Sequence, residues 1–333
     1  MATNVVSQQA GDLGTGLIDH PAFSTNTVIL TEPISELYQM VRQLVFVRET
    51  GCCFTAHSGV GKTRALMMVE HLVRQRMPEL LVIRHNTWNQ QVASIRAFYK
   101  HFLTAIGHPD LRGETFDLRH RLIRRLVDMA RANKSPIVLL LIDEANAMRL
   151  DDFLFLKDVY NELDKEGIQL ITVMMGQEPD FGNVLAVLRD RGRLDLISRF
   201  ARRNMVFRAC STEKDFRTLF KHFDNAIYPV ESGRTWTQHF LPKAWDGGFR
   251  LADQVDAFLQ AIDRCASPSS RAVGIPARQL FTVIRRYLLE QMYLESSEQP
   301  ASETPWDGAL TYALLDDALN TINLEEKRGR KKR

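Results

Sequence analysis

Ala56-His57-Ser58-Gly59-Val60-Gly61-Lys62-Thr63 follows a short apolar run, Cys52-Cys53-Phe54, and opens into a helix-like segment from Arg64 to Arg76. A strand, a glycine-rich turn and a helix in that order form the context of a phosphate-binding loop. Gly59 and Gly61 allow a turn tight enough to aim consecutive backbone N–H groups at phosphate oxygens. Lys62 is placed for the β- and γ-phosphates and the Thr63 hydroxyl for Mg2+, while the following helix offers the positive end of its dipole. The first position of the pattern is Ala56 rather than the usual glycine. Residues 56–63 are therefore expected to cradle a nucleoside triphosphate.

A second stretch points the same way. Pro136-Ile137-Val138-Leu139-Leu140-Leu141-Ile142 is an unbroken apolar run that ends in Asp143-Glu144. Such a run reads as a strand buried on both faces of a parallel sheet, and ligands gather at the C-terminal ends of such strands. Asp143 is expected to hold Mg2+, and Glu144 to orient or deprotonate the water attacking the γ-phosphate. Gln177 ends another apolar run, Leu170–Met175, where a polar side chain would lie between the loop and the acidic strand. It is a candidate γ-phosphate sensor. The guanine signature Asn-Lys-x-Asp is missing, since Asn133-Lys134 continues into Ser135-Pro136, so ATP is the expected nucleotide.

The chain has 333 residues, 45% hydrophobic and 25% charged, ordinary for a globular protein with a large core. No apolar run reaches the length of a membrane span, and the first residues do not form a charged-then-apolar signal. The four cysteines, two of them adjacent in an apolar run, have neither disulfide-framework nor zinc spacing. A cytoplasmic setting without a membrane partner is expected. The 9 histidines are scattered without ligand spacing, and a net charge of +3 leaves any nucleic-acid surface to local clustering.

Residues 1–30 are rich in Ser, Thr, Gly and Asn and read as an arm. Residues 31–210 read as an α/β core. In it, helical patterns near 34–47, 64–76, 90–106, 114–132 and 152–165 alternate with strands near 52–54, 80–84, 136–142 and 168–175. This alternation predicts a doubly wound parallel sheet. Residues 211–324 read as an all-helical lid with helices near 213–227, 252–265, 276–294 and 309–322. Residues 325–333 carry Lys327-Arg328-Gly329-Arg330-Lys331-Lys332-Arg333 and read as a disordered basic tail, a solvated end or a contact for nucleic acid or a partner.

Two further segments carry a family resemblance. In AAA+ ATPases related to replication initiators and clamp loaders, a Ser-Arg-aromatic triplet follows the sensor strand, as Ser198-Arg199-Phe200 does here. The resemblance implies that Arg199 reaches the nucleotide of a neighbouring subunit, with Arg202 and Arg203 as rivals. A guanidinium supplied in trans neutralises transition-state charge only when two subunits abut. Gly274-Ile275-Pro276-Ala277-Arg278 resembles the start of the lid's third helix in the same group, which implies that Arg278 touches the γ-phosphate; Arg271 lies too far upstream. The order Lys62-Thr63, Asp143-Glu144, Gln177, Arg199, Arg278 is that of an AAA+ P-loop module over roughly residues 30–295.

Within that superfamily the chain most resembles the TnsC/TniB transposition regulators, relatives of IstB-type ATPases. The cues are His20-Pro21, Thr55–Thr63, Leu141-Ile142-Asp143-Glu144-Ala145, Gly176-Gln177 and Ser198-Arg199-Phe200-Ala201. The resemblance implies an ATP- and Mg2+-dependent homo-oligomeric ring or filament on duplex DNA. Such an assembly would couple a TniQ-type target selector, with or without a CRISPR effector, to a TnsA/TnsB-type transposase. DNA tracking needs cations facing phosphates. The basic insertion after the second strand carries Lys100, Arg112, Arg119, Arg121, Arg124 and Arg125, of which Lys100, Arg119 and Arg121 are the chosen candidates. Trp88 could stack on a base or sugar. The alternatives are an IstB/DnaC-like helicase loader, a replication-initiation ATPase, an ATP-binding adaptor without turnover and, more distantly, a metabolic kinase.

Overall fold

The computed structural model describes residues 17–24, 26–87, 94–268, 273–299 and 304–331. Trp88, Arg271, the first residues of the arm and of the predicted helix at 90, and the last two tail residues lie outside them. The chain divides into two units, one of residues 33–208 and 324–333, the other of residues 1–32 and 209–323.

The first unit opens with α1 (Glu32–Phe46), which buries Ile34, Leu37, Val41, Leu44 and Val45 at helical spacing. Then follow β1 (Gly51–Ala56), α2 (Lys62–Arg76), β2 (Leu81–Asn86), α3 (Ile95–Ala105) and α4 (Thr115–Ala132). The rest comprises β3 (Ile137–Asp143), a short 3-10 turn (Ala145–Ala147), α5 (Leu150–Lys165), β4 (Gln169–Gln177), α6 (Asp180–Asp190), α7 (Leu194–Phe200) and β5 (Arg203–Val206). The five strands are all parallel, in the order β2-β3-β4-β1-β5. Every residue of β1 and of β3 is buried, which is why both read as unbroken apolar runs rather than alternating ones. The doubly wound sheet expected from the sequence is present. α6, α7 and β5 had no counterpart in the sequence reading. β5 is four residues long on a sheet edge and mostly exposed, so it lacks the apolar signal of a buried strand.

The second unit is helical. It contains α8 (Glu213–Asn225), α9 (Trp236–Phe240), α10 (Pro242–Asp246), α11 (Val255–Cys265), α12 (Ala277–Ser296), α13 (Pro305–Tyr312) and the first part of α14 (Leu315–Lys331), to residue 323. α8 starts with a capping box: the Thr212 hydroxyl accepts from Asp215 N at 3.2 Å, and the Asp215 carboxylate accepts from Thr212 N at 2.9 Å. Trp306 is the centre of the core, stacked on Tyr287 at 3.7 Å and on Phe220 at 5.6 Å. The described part of the arm packs into this unit. His20 is fully buried against Tyr228, Trp236 and Phe240, and Arg285 Nε donates to the Ala22 carbonyl at 2.7 Å.

Two expectations need correction. The single helix near 309–322 is two helices, because Leu314 takes a left-handed φ of 50° that ends the first. The tail is not wholly irregular either, since α14 continues to Lys331.

Candidate functional site

The site is built where β1, β3 and β4 end side by side. β4 lies between the other two, so Ala56 faces Gln177 in register, and Ile142, next to Asp143, faces Met174. Gly59 and Gly61 both take left-handed φ, 77° and 96°, which turns the chain sharply from β1 into α2. The departure at Ala56 is accommodated: its side chain is buried and its carbonyl accepts from Glu178 N at 3.0 Å.

Lys62 is the most informative residue. It is 7% exposed, and its ammonium donates to the His57 carbonyl at 3.3 Å and to Gln177 Oε1 at 3.4 Å. Both are long contacts to neutral partners. Burial pulls its pKa below the ordinary lysine value, and the nearby carboxylates of Glu144 and Asp143 oppose that shift. A buried ammonium held this loosely fits an anionic ligand. His57 contributes its backbone carbonyl to this contact. Thr63 is exposed at the start of α2, and Asp143 is 1% exposed at the end of β3. These two oxygen donors fit a Mg2+ ion that completes its shell with phosphate oxygens and water. Among the described residues no group of three or more His, Cys, Asp or Glu could hold a metal ion by itself.

Glu144 has a left-handed backbone, φ 52°, and its N–H donates to Asp143 Oδ1 at 2.9 Å. Such a conformation costs a non-glycine residue about 1–2 kcal/mol and persists where the surroundings fix it. Glu144 lines an open cavity of about 480 Å³ with Thr87, Asn146, Ala147, Met148, Arg149 and Asp180. Asn146, which the sequence reading passed over, accepts from Gln177 N through Oδ1 at 2.8 Å. The signal was a polar residue two places after the acidic pair. A smaller cavity of about 20 Å³ lies beside it, lined by His85, His101, Asp152 and Arg149 among others.

In the Ser198-Arg199-Phe200 triplet, Phe200 is buried and Arg199 lies over the Tyr160 ring at 5.4 Å, with no carboxylate partner among the described residues. Of its rivals, Arg203 is engaged by Glu49 at 2.8 Å, while Arg202 is exposed. Arg278 is exposed on the first turn of α12 in the helical unit. Lys100 is half-buried on α3. Arg119 pairs with Glu162 at 3.1 Å, and Arg121 donates to the Arg112 carbonyl at 2.8 Å and pairs with Asp110 at 3.2 Å. These two arginines join segments of the fold. Arg124 and Arg125 are exposed, with no ion pair among the described residues.

Residues 48–185 match the family described as AAA domain. No curated protein matches the chain. Among solved structures, the chain is similar to domain III of the Thermotoga maritima replication initiation protein DnaA. That similarity has 16% identity and a TM-score of 0.45, covering 88% of this chain and 97% of that one. It is also similar to the Aeropyrum pernix Orc1 protein in complex with DNA, at 14% identity and a TM-score of 0.42, over 88% of this chain and 84% of that one. A third is Cdc6p from Pyrobaculum aerophilum, at 14% identity and a TM-score of 0.42, over 93% and 97% of the two chains. With its parallel five-stranded sheet, phosphate-loop turn and helical C-terminal region, the chain has the AAA+ P-loop fold.

Proposed function

We propose that this chain hydrolyses ATP and is a regulator of transposition that assembles on duplex DNA. The observation that carries the hydrolysis reading is the convergence of a loosely held, buried Lys62 with Gln177, Asp143 and Glu144 at the C-terminal ends of the central strands. Lys62 binds the β- and γ-phosphates. Thr63 and Asp143 are the residues that would hold Mg2+. When bound, the ion supplies charge neutralisation on the phosphate oxygens. Glu144 orients the attacking water and takes its proton, with Gln177 at the γ-phosphate.

The order of these groups, and the Ser198-Arg199-Phe200 triplet, support the likeness to TnsC/TniB regulators. In that reading Arg199 acts on the nucleotide of a second copy, so turnover follows assembly. Arg278 would sense the γ-phosphate. Duplex DNA would meet Lys100 with Arg124 and Arg125. Arg119 and Arg121 join only by exchanging their present carboxylate partners for phosphates. A TniQ-type selector and a TnsA/TnsB-type transposase are the expected partners.

The test is particle size on a short duplex, by mass photometry, with ADP or a non-hydrolysable ATP analogue. Rings or filaments are expected only with the analogue and DNA, and Glu144→Gln should stabilise them in ATP. Monomers under every condition would refute the assembly. Co-elution with a replicative helicase in place of a transposase would move the chain to the helicase loaders.

A further inference from the structure

β3 and β4 stop being partners before β4 ends. Their last matched pair is Ile142 with Met174, whereas β4 runs on to Gln177. Beyond that pair the chain after β3 turns through the left-handed Glu144 into the 3-10 turn Ala145–Ala147. On the β3 side of β4, the backbone N–H of Gln177 is satisfied by a side chain: Asn146 Oδ1 accepts it at 2.8 Å. Asn146 takes over from the ladder where the ladder fails.

We infer that Asn146 is a positioning residue for hydrolysis, fixing the turn that carries Glu144 against the strand end that carries Gln177. The inference rests on the hydrolysis reading above. Three observations support it. Glu144 is held in a backbone conformation that must be stabilised from outside, and Asn146 is two residues along the same turn. The other bonds of the turn are internal to it: Ala147 N donates to the Glu144 carbonyl at 2.9 Å and Met148 N to the Ala145 carbonyl at 3.1 Å. Neither reaches β4. Finally, Glu144 and Asn146 line the same open cavity, so a shift of the turn moves the carboxylate within the space where a water would be activated.

Among the described residues, no hydrogen bond joins Asn146 to residues 56–63. Lys62 is held by His57 and Gln177 Oε1, through the Gln177 side chain rather than its backbone. Losing Asn146 should therefore leave nucleotide affinity intact while Glu144 loses its aim. An error in aim is felt in kcat and not in KM when binding and chemistry use different groups.

The experiment compares the full chain with Asn146→Ala and Asn146→Asp, measuring steady-state ATP turnover with Mg2+ and duplex DNA. Equilibrium binding of a fluorescent ADP analogue and thermal midpoints are recorded for the same proteins. Asp keeps an acceptor oxygen at the same reach, whereas Ala removes it. The expected result is a kcat about tenfold lower or more in Asn146→Ala, with KM and analogue affinity within about twofold of the parent. Asn146→Asp should recover most of kcat. Unchanged kcat in Asn146→Ala, a parallel loss of analogue binding, or equal loss in both variants would overturn the inference. Absence of turnover in the unmodified chain would instead remove the hydrolysis reading and this inference with it.

Discussion

His85 lends itself to a quantitative test. It lies on β2, 7% exposed, with its ring stacked on Phe102 at a centroid distance of 4.1 Å. Burial, reinforced by His101, lowers its pKa from 6.5 to about 4. A histidine held neutral in the folded state binds protons less tightly there than in the unfolded chain. Its contribution to stability is thus complete above pH 6.5 and is lost as pH falls from 6.5 toward about 4. Integrating over that shift, lowering the pH from about 7.5 to about 5.5 should cost ~1.4 kcal/mol through His85 alone. His85→Leu keeps an apolar contact with Phe102 and removes the titrating group. Urea unfolding of both proteins at the two pH values, followed by circular dichroism, gives the difference directly. The parent should lose ~1.4 kcal/mol more than the variant. Equal losses would show that His85 is not held neutral, and the desolvation reasoning would fail.

Three other outcomes are expected. A Cβ at Gly176 would lie 2.4 Å from Phe181 Cγ, so Gly176→Ala must displace a buried ring beside Gln177. A cost of about 1–3 kcal/mol is expected, read as a lower thermal midpoint, together with weaker ADP binding. Asp224 accepts from the Thr237 hydroxyl at 2.7 Å and from the backbone N–H groups of Leu251 at 3.0 Å and Ala252 at 2.9 Å. Asp224→Ala strands these buried donors and should destabilise the helical unit by about 3 kcal/mol in chemical denaturation. Arg199→Ala should lower DNA-stimulated ATP turnover by at least about a hundredfold, whereas Arg203→Ala, which removes a half-exposed pair with Glu49, should leave turnover unchanged.

Much of the first unit was legible because its signals are local. Consecutive buried residues made β1 and β3 unmistakable, and left-handed glycines marked the turn into α2. The meeting of Lys62 with Gln177 could be anticipated from strand ends, since register does the rest. Other features depend on contacts that no window of sequence contains. Arg119, Arg121 and Arg203 look like free cations until Glu162, Asp110 and Glu49 are brought to them by the fold. β5 is a strand only because β1 offers it an edge. Asn146 was visible as a polar residue after an acidic pair, but its partner is a backbone amide 31 positions away.

The placing of β4 between β3 and β1 bears on how the protein folds. Residues 51–56 and 137–142 must both pair with residues 169–177 before Lys62, Asp143 and Gln177 share a site. Parallel pairings between such distant segments carry a high loop-closure cost and form late. On the proposed reading, nucleotide would therefore select only chains whose central sheet is complete. At a concentration one hundred times its dissociation constant it would add about 2.7 kcal/mol to the native state by mass action. In a cell rich in nucleotide, the ligand would act as a check on the finished sheet, rewarding the slowest contacts in the unit.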